Sequence, residues 1–151
     1  MIRKAVLDDV KTIHKMIAEQ AQSGHILARP ISEIYSQVRD FSVSVDHETG
    51  EIIGCGALHV VWEDLAEIRS LAVKASLHGK GIGSALVEAL LEESRGLGIK
   101  RVFVLTYRQT FFERHGFEVM EKSLLPHKIW ADCMRCTRFP ECDEIALVRS
   151  P

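Results

Sequence analysis

Three glycines at every second position, in His78-Gly79-Lys80-Gly81-Ile82-Gly83, stand between an apolar run and an amphipathic pattern, "LAVKASLHGKGIGSALVEALLEE". A strand ending in "LAV", a glycine-rich turn and then a helix leave backbone N–H groups aimed at one spot, where the helix dipole favours an anion. Gly81 and Gly83 carry no Cβ to hold a ligand off the backbone. Such a segment makes a pyrophosphate cradle; the alternative is a tight turn with no ligand. It lacks the Gly-Lys-Ser/Thr ending of a Walker A loop. It also follows a hairpin-rich half instead of opening a βαβ unit, unlike a dinucleotide fingerprint.

A second set of residues precedes the glycines. Glu67 and Arg69 in "AEIRSLAV" are two apart and share one face of a strand. A carboxylate there can take a proton, directly or through a water, but at its ordinary pKa of about 4.3 it is a poor base unless burial raises that value. The neighbouring cation works the other way, and it supplies a planar fork for a substrate carboxylate. A third set is cysteine-based. Cys55 lies in an apolar run, whereas Cys133, Cys136 and Cys142 cluster near the end of the chain. Cys133-x2-Cys136 has knuckle spacing, but zinc takes four ligands, and only His127, Asp132 or water would complete the set. The expectation is reduced thiols and no resident metal, with Cys133, Cys136 and Cys142 as the alternative metal or redox site.

The elements that must position these groups follow from pattern. The chain has 151 residues, 46% hydrophobic and 26% charged, which suits one domain with a real core. A net charge of -2 implies no field for a polyanion, so nucleic acid is disfavoured as a partner. "MIRKAVLDDVKTIH" has no signal-peptide core and no run approaches the roughly 18 apolar residues of a membrane span, so a cytoplasmic protein without a membrane partner is expected. "IRKAV" reads as a strand, and Asp8 or Asp9 can cap a helix carrying Val10, Ile13 and Ile17 at helical spacing. Ser32 can open a second helix, "SEIYSQVRD". "FSVSV", "IIGCGALHVVW" and "AEIRSLAV" are strands, with Gly50 at a turn suited to positive φ. "SALVEALLEESRGLG" is a helix, "KRVFVLTY" a strand, "QTFFERHG" a short helix, and "FEVMEK" and "DEIALVRS" the last strands. The order β-α-α-β-β-β-α-β-α-β-β predicts an α/β (α+β) protein with a mixed sheet and helices on its faces.

With this order in place, the glycine segment resembles motif A of the GCN5-related N-acetyltransferases, Gln/Arg-x-x-Gly-x-Gly/Ala after the fourth strand. His78 departs from the usual first residue, which by that likeness weakens one cationic or amide contact and leaves the backbone cradle intact. Phe111-Phe112-Glu113-Arg114-His115-Gly116-Phe117 is similar to the family's aromatic pair followed by Gly-Phe. The resemblance runs to about residue 120. "GCGALHVVWEDLAEIRSLAV", "RVFVLTYRQTFFERHGFE" and the Leu-Pro of "LLPHKIWADC" narrow it to the acetyltransferase domain of N-acetylglutamate synthases, in particular the short stand-alone bacterial forms. No amino-acid-kinase-like domain is expected to accompany it.

The resemblance implies a single N-acetyltransferase domain over 1–151, with a Cys-containing C-terminal segment at 124–143. Its sheet would be mostly antiparallel with one splayed parallel pair. Acetyl-CoA would be the cosubstrate, its diphosphate on the loop from His78 through Gly79, Lys80, Gly81, Ile82 and Gly83 to Ser84. Its pantetheine arm would lie against the main chain of Leu71, Ala72 and Val73, with the Leu71 N–H facing the thioester oxygen. The acceptor would be the α-amine of L-glutamate in the first step of arginine biosynthesis, with Glu67 as base and Arg69 on a carboxylate. Arg29, Lys128 and Arg108 are candidates for the second carboxylate. The family's usual acid, a Tyr four residues before Gly-Phe, is replaced by Phe112; Tyr107 is the substitute, or the thiolate leaves without an acid. His115 lies close in sequence to that position. A homodimer fits the family. The alternatives are another small amine or amino acid as acceptor, and a CoA-binding sensor without turnover.

Overall fold

Period-two alternation of small and β-branched residues builds a seven-stranded sheet in the computed structural model, which describes residues 1–24, 26–125 and 144–151. In chain order the elements are β1 (Ile2–Lys4), α1 (Val10–Gln22), α2 (Ile31–Ser36), β2 (Phe41–Val45), β3 (Ile52–Trp62), β4 (Leu65–Val73), α3 (Ile82–Leu97), β5 (Arg101–Thr106), α4 (Gln109–Glu113), β6 (Glu118–Met120) and β7 (Ile145–Arg149). The strands lie side by side as β1-β2-β3-β4-β5-β7-β6. Every neighbouring pair is antiparallel except β4 with β5, which is parallel. This is the element order and the mixed α/β sheet that the sequence predicts.

The alternation along β3 sets the two layers. Gly54, Gly56 and Leu58 face α3. A Cβ at Gly54 would lie 3.0 Å from both Ile82 and Leu86, and one at Gly56 3.2 Å from Leu90, so these glycines let the helix press onto the sheet. Leu86, Val87, Leu90 and Leu91 recur at helical spacing and are buried, and Val87, Leu90 and Leu91 join Ile68, Val102, Val104 and Leu147 in one core. Gly98 stops α3 at φ 80°. Cys55 and Ala57 face the other way, into a second core with Phe41, Val43 and the α1 residues Val10, Ile13 and Ile17. Farther along that same face, Leu65, Phe103, Leu125 and Ala146 form a third apolar cluster.

Two local readings shift. Helix α2 begins at Ile31, behind Pro30, and ends at Ser36, because Gln37 leaves helical geometry and the chain tightens into a 3-10 turn at Val38–Asp40 before β2. Asp9 precedes α1 but makes no side-chain cap on it. Its carboxylate instead accepts the Val6 N–H at 2.8 Å and two Arg3 guanidinium bonds at 2.7 and 3.1 Å, closing the 3-10 turn at Leu7–Asp9. Gly50 takes φ 74° in the turn before β3, as its position requires. Among the described residues no helix is long and apolar enough to cross a membrane.

Candidate active site

The parallel pair is short. Only Leu65, Ala66 and Glu67 of β4 pair with β5, against Arg101, Val102 and Phe103. Beyond them β4 continues along β3 to Val73 while β5 continues along β7 to Thr106, so the two strands part. The cause lies within β4. Arg69 opposes Ala57 and Ala72 opposes Cys55, which leaves Ser70 and Leu71 together facing Gly56 alone. That two-against-one count is a β-bulge, and Ser70 sits in it at φ 56°, a left-handed value rare outside glycine. Leu71 anchors the bulge by packing against the α3-side core. Among the described residues the β4–β5 ladder ends at Glu67, so at Leu71 and Ala72 the β5-facing edge of β4 can take a guest.

The glycine loop follows at the open end. His78 turns back to the carbonyl of Val73, its Nε2 donating at 2.9 Å, and so clasps the loop to the end of β4. Gly79 and Gly81 have φ of 82° and 81°, and a Cβ on either would meet nothing within 4 Å. Both therefore border open space. The helical ladder starts with the Ala85 N–H bonding Gly81 at 3.0 Å, so the amides of Ile82, Gly83 and Ser84 precede any intrahelical acceptor. Gly83 differs: its absent Cβ would point at Phe111 and Val73, 3.6 and 3.7 Å away, toward packed side chains. Lys80 is exposed on this loop.

Ser84 is not left to the loop alone. Its hydroxyl lies 3.1 Å from His115 Nε2, and His115 Nδ1 lies 2.8 Å from Glu88 Oε1. A carboxylate only accepts, so Nδ1 carries a proton; in the neutral ring Nε2 then accepts from the Ser84 hydroxyl. The Arg149 guanidinium donates to the His115 carbonyl, tying this chain of contacts to β7. Ser84 and Glu88 share a helix face, but their partner lies 27 residues and more away, where local spacing gives no signal.

On the face opposite α3, the alternation of β4 places Glu67 and Arg69 between the two apolar clusters. Glu67 is 7% exposed, and Arg69 Nη1 stands 3.8 Å from its Oε1. Gln37, in the bend after α2, accepts Arg69 Nη2 at 2.7 Å. His59 is the direct cross-strand partner of Glu67, and its Nδ1 lies 2.8 Å from Asp40 Oδ2. The spacing of Glu67 and Arg69 in sequence puts them on one strand face, whereas Gln37, Asp40 and His59 carry no such signal, because tertiary pairing brings them in from other elements. Arg29 is buried and pairs with Glu33 at 3.1 Å. Tyr107 is half-buried one residue past β5, at the end where the strands part. Phe112, in the position usual for an acid, is core: it meets Phe111 and Phe117 edge to face, with centroids 5.0 and 5.4 Å apart. Burial pushes the Cys55 thiol up to about 12, so it is neutral and inert. Lys128, Cys133, Cys136 and Cys142 lie outside the described residues, and among those described no cluster of His, Cys, Asp or Glu could hold a metal ion.

An anion cradle, an open strand edge and a buried carboxylate beside a guanidinium suit acyl transfer from a phosphate-bearing carrier to an amine. Known proteins agree. The model of the acetyltransferase (GNAT) family matches residues 11–117. An uncharacterized N-acetyltransferase of Chlorobaculum tepidum is 42% identical over 99% of this chain and 95% of its own. An amino-acid acetyltransferase of Mycobacterium tuberculosis is 38% identical over 89% of this chain and 78% of its own. Among solved structures, a Mycobacterium tuberculosis protein in complex with CoA superposes with a TM-score of 0.86, at 31% identity over 100% of this chain and 99% of that one. The N-acetylglutamate synthase of Neisseria gonorrhoeae, complexed with coenzyme A and N-acetyl-glutamate, gives 0.88 at 28% identity over 99% of this chain and 34% of the synthase. With the family model matching residues 11–117 and a relative 42% identical over nearly the whole of both chains, the chain belongs to the GNAT acetyltransferase family.

Proposed function

We propose that this protein, acting as one N-acetyltransferase domain, moves the acetyl group of acetyl-CoA onto the α-amine of L-glutamate, the first step of arginine biosynthesis. The observation that carries this reading is the buried Glu67–Arg69 pair on the strand whose outer edge opens beside the glycine cradle. Support comes from the amino-acid acetyltransferase relative and from the gonococcal synthase bound to N-acetyl-glutamate.

The roles follow from position. The amides of Gly79, Lys80, Gly81, Ile82, Gly83 and Ser84, after the His78 clasp, take the diphosphate. The open edge at Leu71, Ala72 and Val73 takes the pantetheine arm. There the Leu71 N–H polarises the thioester carbonyl, where negative charge develops as the amine attacks. Glu67 accepts the ammonium proton; the nitrogen lone pair then forms the N–C bond, and the C–S bond breaks toward the thiolate. Tyr107 supplies a proton to that thiolate and regains one from the nitrogen, which sheds its second proton as the amide forms. Arg69, held by Gln37, presents its fork to one substrate carboxylate. Arg29 and Lys128 are the cations for the other.

The test is kcat/KM for glutamate against glutamine, aspartate, lysine and spermidine. Glutamate is expected to lead, with amines lacking a second carboxylate lower by about a hundredfold or more, because a site built for that group is left unpaired without it. A lead for lysine or spermidine overturns the acceptor. Binding of acetyl-CoA with no amine acetylated overturns the enzyme reading in favour of a sensor.

A further inference from the structure

The proton that Glu67 receives needs a way out. Glu67 is buried and lies beside Arg69, and the catalytic roles assigned above provide no path from it to water. The register of the β3–β4 pair places His59 directly opposite Glu67, and opposed residues in an antiparallel pair project on the same face with Cβ atoms about 5 Å apart. His59 is the better solvated of the two, its side chain 32% exposed. The ring is not loose. Asp40 Oδ2, at the end of the 3-10 turn, lies 2.8 Å from Nδ1. Because a carboxylate accepts only, that contact fixes the tautomer: Nδ1 carries the proton and Nε2 of the neutral ring presents a lone pair.

We propose that His59, oriented by Asp40, is the proton exit of the acetyl transfer: it takes from Glu67 the proton lost by the attacking amine and releases it to water. The balance is simple. The acceptor ammonium gives one proton to the Glu67 carboxylate, the freed lone pair forms the N–C bond as the C–S bond breaks, and the second proton shed by the new amide nitrogen replaces the one Tyr107 gives to the thiolate. Glu67 passes that proton to His59 Nε2 through a water, making an imidazolium whose Nδ1–H remains on the Asp40 carboxylate. The imidazolium loses the Nε2 proton to solvent, and both groups return to their starting charge. His59 acts through Glu67 and does not touch the substrate. Asp40 orients it and offsets its transient charge. Among the described residues the charged groups that face the ring are Asp40 from the turn before β2 and, across the strand pair, Glu67 with Arg69 beyond it.

This inference rests on the proposed acetyl transfer but not on which amine is the acceptor, so it is tested with whichever amine the wild type acetylates best. His59→Ala is expected to lower kcat by about tenfold or more, at the modest end of acid–base effects because the relay is one step removed. KM for acetyl-CoA and for the amine should stay within about twofold, since neither substrate is held by the ring. Added imidazole should restore part of the kcat of His59→Ala and none of that of His59→Gln, whose side chain fills the space and carries no proton. Asp40→Asn should fall between wild type and His59→Ala. A kcat for His59→Gln, folded by its melting curve, equal to wild type would overturn the relay, and so would a kcat of His59→Ala indifferent to imidazole. A rise in KM with kcat unchanged would make His59 a substrate-positioning group instead, which also sinks the proposal. A wild type that acetylates no amine would remove both this step and the function it serves, whereas active wild type with unaffected variants removes this step alone.

Discussion

The glycine loop offers a matched pair of substitutions whose effects should part in sign. Gly81→Ala places a methyl group at φ 81°, where an L side chain is strained by about 1–2 kcal/mol. The methyl itself meets nothing in the free protein, since no atom lies within 4 Å of that Cβ. Strain is therefore the whole cost of the change before ligand arrives, a fall in Tm of about 2–8 °C for a domain of this size. In the proposed binding mode the same methyl projects toward the diphosphate, so the apparent Kd for acetyl-CoA should rise about tenfold, or about 1.4 kcal/mol. Gly83→Ala is the control. Its φ is not left-handed, and its Cβ would rest on Phe111 and Val73 at ordinary contact distances of 3.6 and 3.7 Å, away from the loop's open side. Alanine in a helix is preferred to glycine by up to about 1 kcal/mol, so Tm should hold or rise by a few degrees. Acetyl-CoA binding should change by less than about twofold. Thermal melts of the free proteins and calorimetric titration with acetyl-CoA give all four numbers. The reasoning is refuted if Gly81→Ala binds acetyl-CoA like wild type while melting lower, which would make the loop a turn and nothing more. It is also refuted if Gly83→Ala loses as much affinity as Gly81→Ala.

Three further outcomes follow from individual environments. Phe112→Tyr should not raise kcat, because the ring lies in the core between Phe111 and Phe117; the added hydroxyl should cost about 1–3 kcal/mol in a denaturant melt, and a gain in turnover would refute this placement. The hydrogen bond from Arg3 holds the Asp9 carboxyl below the usual carboxylate range, so its stabilisation is complete above the unfolded value of about 3.9 and is lost as pH falls through the lower folded value. Asp9→Asn should thus cost about 1–2 kcal/mol at neutral pH, and the gap to wild type should close in acid; a gap constant down to pH 2 would contradict it. In a variant with Cys133→Ser, Cys136→Ser and Cys142→Ser, the remaining Cys55 should be alkylated only as fast as the protein opens, since its thiol is buried with its pKa near 12. Rapid native-state labelling would show the site to be accessible.

Why some of this was legible in sequence and some was not comes down to the range of the interactions. Periodicity placed the helix over the Leu86–Leu91 stretch and the strands "FSVSV" and "IIGCGALHVVW", because those elements are set by residues two to four apart. The insertion of β7 between β5 and β6 is a long-range pairing that no local pattern encodes. The parting of β4 from β5 came only through family resemblance: nothing in "SLAV" marks Ser70 for a left-handed backbone, a conformation imposed by the count of residues facing Gly56. In the candidate site, Glu67 and Arg69 declared themselves by sharing a strand face, whereas Gln37, Asp40 and His59 reach them only once β2, β3 and β4 are paired.

That distribution of polar groups is itself an argument about function. On the face of the sheet opposite α3, β4 reads Leu65, Glu67, Arg69 and Ala72, two charged residues set between positions that join apolar clusters. For stability alone, apolar residues of similar volume would serve as well or better, because a buried ion pair often fails to recover the cost of removing both charges from water. The chain keeps the charges at the point where its two apolar patches on that face leave off, beside the last residues of the short parallel ladder. Three further polar side chains, Gln37, Asp40 and His59, are held in hydrogen-bonded pairs around them, and the buried polar groups are thereby satisfied without being filled in by packing. A sheet that gives up apolar contact at one strip, and opens its neighbouring strand edge at the same level, has been shaped by what must enter there.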